Sequence, residues 1–319
     1  MIIAELAALS AAFCWALSGL ISISAIHKLG PLAFNRVRML LVFLLLAAIS
    51  LLTGAWREFP LGTIQTLMIS GLFGIFLGDT ALFGALQRLG PSRTSVIFAL
   101  NAPMTVIMGW FILEEHLPWL TLLGCGIVTV GVLIAILGRR NSNEPQGMDS
   151  TQGRLRYGIV LGLLAAFGQA AGSIIARPIM AEGVDPVTAS AIRVGISALC
   201  LLCVGFIPNP LFRPKTSYTV KLIGIIMISG FLAMGIGMTL LLYGLALGDA
   251  GVVTTLSATT PVLILPMLWI STGNRPPLMA WVGAVVTLSG IVLITYSWVS
   301  VSYTHLRAHE TLMNPVCRL

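Results

Sequence analysis

The sequence predicts an all-α integral membrane protein of about ten transmembrane helices, arranged as two inverted five-helix repeats. Three observations carry that expectation. Hydrophobic residues make up 57% of the 319 and charged residues only 9%, with a mean hydropathy of +0.98. A soluble domain carries about a quarter charged residues, so this chain lacks the polar surface to live in water. Apolar windows of about 20 residues, the length that crosses a ~30 Å hydrocarbon core, recur along it. And the two halves repeat one another.

The windows fall at 2–26, 32–53, 63–88, 91–113 and 118–138, then at 157–180, 186–207, 219–246, 251–272 and 278–299. The first, "MIIAELAALSAAFCWALSGLISISAI", has no basic start and outruns a signal-peptide core, so it reads as a retained helix. Short connections with turn signals, such as Gly30-Pro31, Gly90-Pro91 and Asp185-Pro186, separate most of the others. The exception is "GRRNSNEPQGMDSTQGRLR", residues 138–156, which is polar and divides the spans five and five. The expected organisation is a first repeat at 1–138, a linker at 139–156, a second repeat at 157–299 and a polar tail at 300–319.

The repeat rests on spacing. Pro31 and Arg38 stand seven residues apart, as do Pro186 and Arg193. Gly90 and Pro103 match Gly248 and Pro261, both pairs thirteen apart. Pro118, Gly124 and Gly131 match Pro277, Gly283 and Gly290 with the same internal spacing. Five spans is an odd number, so the second half enters the membrane from the opposite side. Inverted repeats of this kind build many secondary transporters, with the substrate near the midplane between them.

Composition and motifs exclude several other classes. The formal charge is +7, but the basic residues lie singly in short connections and form no patch that would hold nucleic acid. Cys200 and Cys203 share a helix face without a second pair or a nearby histidine, so they read as small hydrophobes. No phosphate-binding loop is present, so the chain does not itself power transport with ATP. No cofactor is expected. An intramembrane enzyme would need a second mid-span aspartate, a Ser/His pair or a metal motif, and a non-transporting receptor or scaffold fits the five-plus-five repeat poorly. In the tail, His305, His309, Glu310 and Cys317 resemble a metal set, but the abrupt change of composition reads as a disordered end foreign to the fold.

Polar residues inside spans tend to face the bundle interior or a water-filled cavity. Asp79, in "GIFLGDTALFGAL", is the one mid-span aspartate. The repeat sets it opposite Gly237, within one residue, where no acid stands, and that asymmetry favours a coupling role over an ion pair with an arginine of the second or seventh helix. Trp15, Asn101, Gln169 and Tyr243 are further candidates for substrate contact. Arg38 and Arg193 recur at equal depth, which suits a structural role, each bonding exposed carbonyls or a helix end at one mouth of the cavity. Glu115, at the end of the fourth helix, is expected to meet water or a gating partner. Pro103 and Pro261 each remove one backbone hydrogen bond and are expected to kink their helices.

These residues resemble a known pattern. "FCWALSG" in the first helix, Arg38 and Arg193 after their prolines, Pro103 and Pro261, and "EEHLPWLTLLGCGIVTVGVLIA" are similar to the drug/metabolite transporter superfamily, of the ten-helix EamA type, over about residues 2–299. The resemblance implies a transporter of small polar or amphipathic metabolites, most plausibly an exporter in the cell membrane. Its partners would be the small-molecule substrate, the lipid bilayer and protons as coupling ion, and a chain holding both repeats can work as a monomer. Two departures stand out. Asn274 replaces the second-repeat counterpart of Glu115, and Glu5 lies only one turn into its helix, so the coupling glutamate of the four-helix relatives does not carry over. Eleven basic residues follow odd-numbered helices and two follow even-numbered ones. The positive-inside tendency then sets the odd connections, the 139–156 linker included, in the cytoplasm.

Overall fold

The computed structural model describes residues 2–139, 152–206, 213–273 and 275–313, and among these it contains helices and connections but no strand. Ten stretches are long and apolar enough to span a bilayer. They are α1 (Ile2–Leu29), α2 (Pro31–Thr53), α3 (Leu61–Leu86), α4 (Arg93–Leu113), α5 (Trp119–Gly138), α6 (Leu155–Ala181), α7 (Pro186–Gly205), α8 (Val220–Leu247), α9 (Ala250–Ser271) and α10 (Leu278–Tyr296). Each begins and ends within a few residues of its expected window.

Local chemistry sets the ends. Proline opens both α2 and α7, where its missing N–H costs nothing and its fixed φ suits a first helical turn. Gly30 precedes α2 at φ 83°, and Asp185 caps α7 by accepting from the Thr188 N–H at 2.7 Å. The outward faces stay apolar: Leu52 is 87% exposed and Val220 90%. Along α10 the same holds in mid-span, where Val285 is 66% exposed and Val292 67%, a surface suited to hydrocarbon. The helices α5 and α10 lie against each other along glycines; a Cβ on Gly124 would stand 3.1 Å from the Gly290 carbonyl oxygen.

Two irregularities occur twice, once in each repeat. Within α3 the helix widens to π geometry over Leu72–Leu77, and within α8 over Phe231–Gly237. Each π segment follows an identical "MISG", at 68–71 and 227–230. That frame places Asp79 opposite Met238, one of the positions the sequence allowed. Single-turn π segments inside helices are uncommon and gather at functional sites.

The second irregularity falls beside the two mid-span prolines. The α4 helix breaks at Ala99–Leu100 and α9 at Ala258–Thr259, and new half-helices start at Asn101 and Thr260. Pro103 and Pro261 therefore sit in the first turn of a half-helix. The neighbouring Ala102 and Val262 N–H groups bond back to the Ala99 and Thr259 carbonyls across the breaks, whereas the prolines have no N–H to give.

Most of the 139–156 linker lies outside the described residues, as does Asn274. The expectation of an irregular tail differs from the structure, in which the helix begun by α10 runs on to Met313. No glycine or proline interrupts residues 297–313, so nothing in the chain stops the helix before Pro315. Residues 314–319 of the expected tail lie outside the described residues.

Candidate functional site

Each π segment receives the first helix of the other repeat. On one side α1 packs against α8: the Trp15 indole Nε1 donates to the Ala233 carbonyl at 2.9 Å, and the Ser18 hydroxyl donates to the Ser229 carbonyl at 2.7 Å. A Cβ on Gly237 would come 2.8 Å from that indole nitrogen, so only glycine admits the ring. On the other side α6 packs against α3 backbone to backbone. A Cβ on Gly172 would come 2.6 Å from the Gly74 Cα, and one on Gly168 would come 2.8 Å from the Phe73 carbonyl oxygen. The Ser70 hydroxyl closes this seam by donating to the Gly172 carbonyl at 2.6 Å. Gln169 is half-buried beside Gly78, the neighbour of Asp79.

The two arginines lie at these seams in different company. Arg38, on α2, reaches Asp79 on α3, with Nη2 at 3.2 Å from Oδ2 and side-chain exposures of 11% and 17%. The same nitrogen donates to the Asn35 Oδ1 at 2.7 Å, and the guanidinium carbon lies 5.5 Å from the centre of the Phe34 ring. Asp79 is thus half of an ion pair, the arrangement the sequence had set second to a coupling role. Arg193, on α7, is fully buried, and its Nη1 meets the Met238 sulfur at 3.4 Å. Its Nε and Nη2 have no hydrogen-bond partner among the described residues. Among the described residues, neither arginine bonds the backbone carbonyls or helix ends that the sequence reading assigned to them.

The breaks in α4 and α9 absorb several of the polar candidates. Asn101 Nδ2 donates to the Phe98 carbonyl at 2.6 Å, and the Thr259 hydroxyl donates to the Leu256 carbonyl at 2.7 Å. These side chains satisfy carbonyls freed by the turns. Thr260 reaches across to the Ala12 carbonyl of α1 at 3.3 Å. Tyr243 stands apart from this group, 41% exposed on α8.

A second charged cluster lies at one end of the bundle. The Glu115 Oε1 lies 3.5 Å from the Arg177 Nε and accepts from the Ala250 N–H, which opens α9, at 2.9 Å. Glu114, at φ 55°, is the only non-glycine with positive φ among the described residues, and it turns the chain so that Glu115 folds back over Gly109. Burial pushes the Glu115 carboxyl above its ordinary 4.5; Asp249 adds to the rise, while the Ala250 N–H and Arg177 oppose it. Asp249 is raised likewise by burial, against the pull of Arg177. The sequence reading counted Arg177 only as a connection charge, because its acid partner lies 62 residues away. At the opposite end, among the ends of α3, α4, α5 and α6, an apolar groove of about 410 Å³ carries Arg93 as its one charged lining residue.

Duplicated five-helix repeats, broken helices and an ion pair between spans define a multi-pass membrane protein of the transporter class. The chain belongs to the EamA-like transporter family, whose pattern matches residues 2–137 and again 156–296. That family is part of the drug/metabolite transporter superfamily. A protein of Salmonella typhimurium, described as a probable amino-acid metabolite efflux pump, is 27% identical over 293 residues, which cover 89% of this chain and 92% of the relative. A WAT1-related protein of Arabidopsis thaliana is 29% identical over 86 residues, 27% of this chain and 23% of that protein. A solved crystal structure shares the fold at a TM-score of 0.75 and 18% identity, over 92% of this chain and 96% of the other. The protein is a membrane transporter that takes a small-molecule substrate.

Proposed function

We propose that this chain is a secondary transporter that exports small polar or amphipathic metabolites, amino acids and their derivatives among them, by alternating access between its repeats. One observation carries the reading: the Arg38–Asp79 pair flanks a π segment against which the opposite repeat docks on glycine backbone, with one serine bond across the contact. A seam whose closest approach is glycine on glycine has little there to lock its register. Asp79 keeps 17% of its side chain exposed, so the pair stays open to a proton or a cationic group. Its counterpart, Met238, cannot titrate. The naming of the Salmonella typhimurium relative as an efflux pump supports the direction and the substrate class.

In this reading the odd-numbered connections face the cytoplasm and the protein lies in the cell membrane. The Glu115–Arg177 contact then falls on the outer face and joins the first repeat to the second, as an outer gate in its closed form. The Arg93 groove falls on the inner side. One chain completes the pathway, protons are the coupling ion, and Trp15, Asn101 and Gln169 border the route.

Metabolite profiling of cells with and without the gene names the compound, and flux in proteoliposomes tests it. Wild-type vesicles should move it in response to a proton gradient. Asp79→Asn keeps the side chain's size and removes its titration, so it should insert normally and lose the proton-dependent flux. Normal pH-dependent flux in that variant would remove the coupling role, and failure to insert would make the pair a support of the fold. A wild-type protein that moves nothing would favour a receptor or scaffold.

A further inference from the structure

The two arginines occupy equivalent places, yet their surroundings differ at every acceptor. Around Arg38 stand Phe34, Asn35 and Asp79; the repeat places Ala189, Ser190 and Met238 at the same points around Arg193. The Ser190 hydroxyl oxygen accepts from Thr239 at 3.1 Å, and Arg193 makes no bond to it among the described residues. The guanidinium is left with a thioether, a weak acceptor. A cation buried in a spanning helix ordinarily pairs or marks a substrate path, and this one does not pair.

Its position points to the path. Gly74 of α3 lies beside its free nitrogen; a Cβ there would stand 3.1 Å from Arg193 Nη2 and 3.1 Å from the Gly172 Cα. The nitrogen therefore meets the glycine seam between α3 and α6, where the two repeats touch through backbone and one serine bond. Asp79 follows Gly74 by five residues, about one π turn further along α3. Arg193 on α7 and Asp79 on α3 thus both border the α3 π segment, the first through Gly74 and the second just beyond its end.

We propose that Arg193 is the residue that receives the carboxylate of the transported molecule, and that the substrates are small molecules bearing one carboxylate, zwitterionic amino acids included. The guanidinium fork holds a carboxylate by two parallel hydrogen bonds, and Asp79 faces the substrate's ammonium end. This deepens the transport reading above and rests on it. Met238 is what keeps the site open to a substrate, since an acid at that place would occupy Arg193 as Asp79 occupies Arg38.

The test uses the full chain in proteoliposomes loaded with radiolabelled phenylalanine, leucine or threonine, each against its carboxamide and its decarboxylated amine. Wild type should favour at least one of the acids over its amide by about a hundredfold or more, as a site built around a buried hydrogen-bonding group does. Arg193→Gln should abolish that preference in correctly inserted protein, and Arg193→Lys should keep part of it. Met238→Asp supplies an internal carboxylate and should raise KM for the acid by about tenfold or more while the amide gains relative to it. Should Arg193→Gln fail to insert, Met238→Asp decides alone, and an unaltered acid KM there overturns the proposal. So does an inserted Arg193→Gln that keeps its preference for the acid. Wild-type protein that moves only compounds without a carboxylate overturns this inference and leaves the transport reading standing; wild-type protein that moves nothing at all removes both.

Discussion

The seam between α3 and α6 and the seam between α8 and α1 are made from the same parts and closed in opposite ways. Both rest on a π segment that follows "MISG", and both receive the first helix of the other repeat. Against α3 the contact is glycine on glycine, with one serine bond across it. Against α8 it is an indole and a serine reaching backbone carbonyls. Side-chain hydrogen bonds to particular carbonyls fix a register, whereas smooth backbone contact sets a distance and leaves translation free. The two repeats thus carry matching seams, one closed by side-chain bonds from Trp15 and Ser18 and the other by glycine contact with a single serine bond. The glycine seam is the one that carries Asp79 and faces the unpaired nitrogen of Arg193.

The sharpest way to break the comparison is to fill the glycine seam. Gly172→Leu puts a side chain where even a Cβ lies 2.6 Å from the Gly74 Cα, and neither backbone can yield without moving a helix. Overpacking costs typically about 1–3 kcal/mol and occasionally more; this site should lie at the upper end or beyond, seen as poor insertion or early melting in detergent. The matched control is Gly19→Ala on α1, where the nearest atom, Ile264 Cδ1, stands 3.9 Å from the new Cβ. It should match wild type or improve on it by a few tenths of a kcal/mol, up to ~1, through helix propensity. Equal melting of the two variants would deny that the α3–α6 contact is special.

A smaller effect tests whether sliding at the seam is felt at the mouth. Burial raises the Glu115 carboxyl above 4.5, which means the proton binds more tightly when the residue is folded over Gly109 than when it is free. The sign follows: the closed contact is most stable below the free value and weakens as pH climbs through the raised one, despite the attraction of Arg177. Asp249, also raised by burial, acts in the same sense. Hydrogen exchange in 109–118, corrected for its intrinsic pH dependence, should slow in wild type on going from about pH 7 to about pH 5. Glu115→Gln should be nearly flat over that window, with only the Asp249 contribution left. A wild-type profile that speeds up on acidification would mean that the Arg177 pair dominates and that the gate opens in acid.

The contrast between the seams also explains which parts of the molecule could be read in the sequence. Spans and repeat follow from hydropathy and from Gly and Pro spacing, which are local properties, and α1 to α10 match their windows closely. The π segments have no compositional signature, and only the duplicated "MISG" marks them. The breaks of α4 and α9 fall just ahead of Pro103 and Pro261, because a proline is most easily housed in the first turn of a new half-helix. Asp79 was conspicuous as a charge, but its choice between Arg38 and Arg193 depends on how α2 and α7 cross the repeats. Arg177 went unnoticed for the same reason, since it meets Glu115 across the chain. Tyr243 looked like a cavity residue by being polar within a span; its exposure on α8 sets it apart from the group at the seams.

The finest test compares one donor from each seam. Trp15→Phe keeps the aromatic ring between α1 and α8 and removes only the N–H that reaches the Ala233 carbonyl at 2.9 Å. Ser70→Ala removes the hydroxyl that reaches the Gly172 carbonyl at 2.6 Å. A single neutral hydrogen bond contributes about 1 kcal/mol net, more where its loss strands a buried partner. Trp15→Phe should approach the upper part of that range, because Ala233 lies in a π segment and the indole also fills the space above Gly237. Ser70→Ala should cost less, since glycine contact continues to hold α6 against α3 without it. Melting curves measure the stabilities, and initial transport rates measure the consequence. Trp15→Phe should lose stability with little change in rate, whereas Ser70→Ala, which loosens the seam that slides, should change the rate more than the melting point. The reverse ordering would place the moving contact at α8 and α1 and exchange the roles of the two seams.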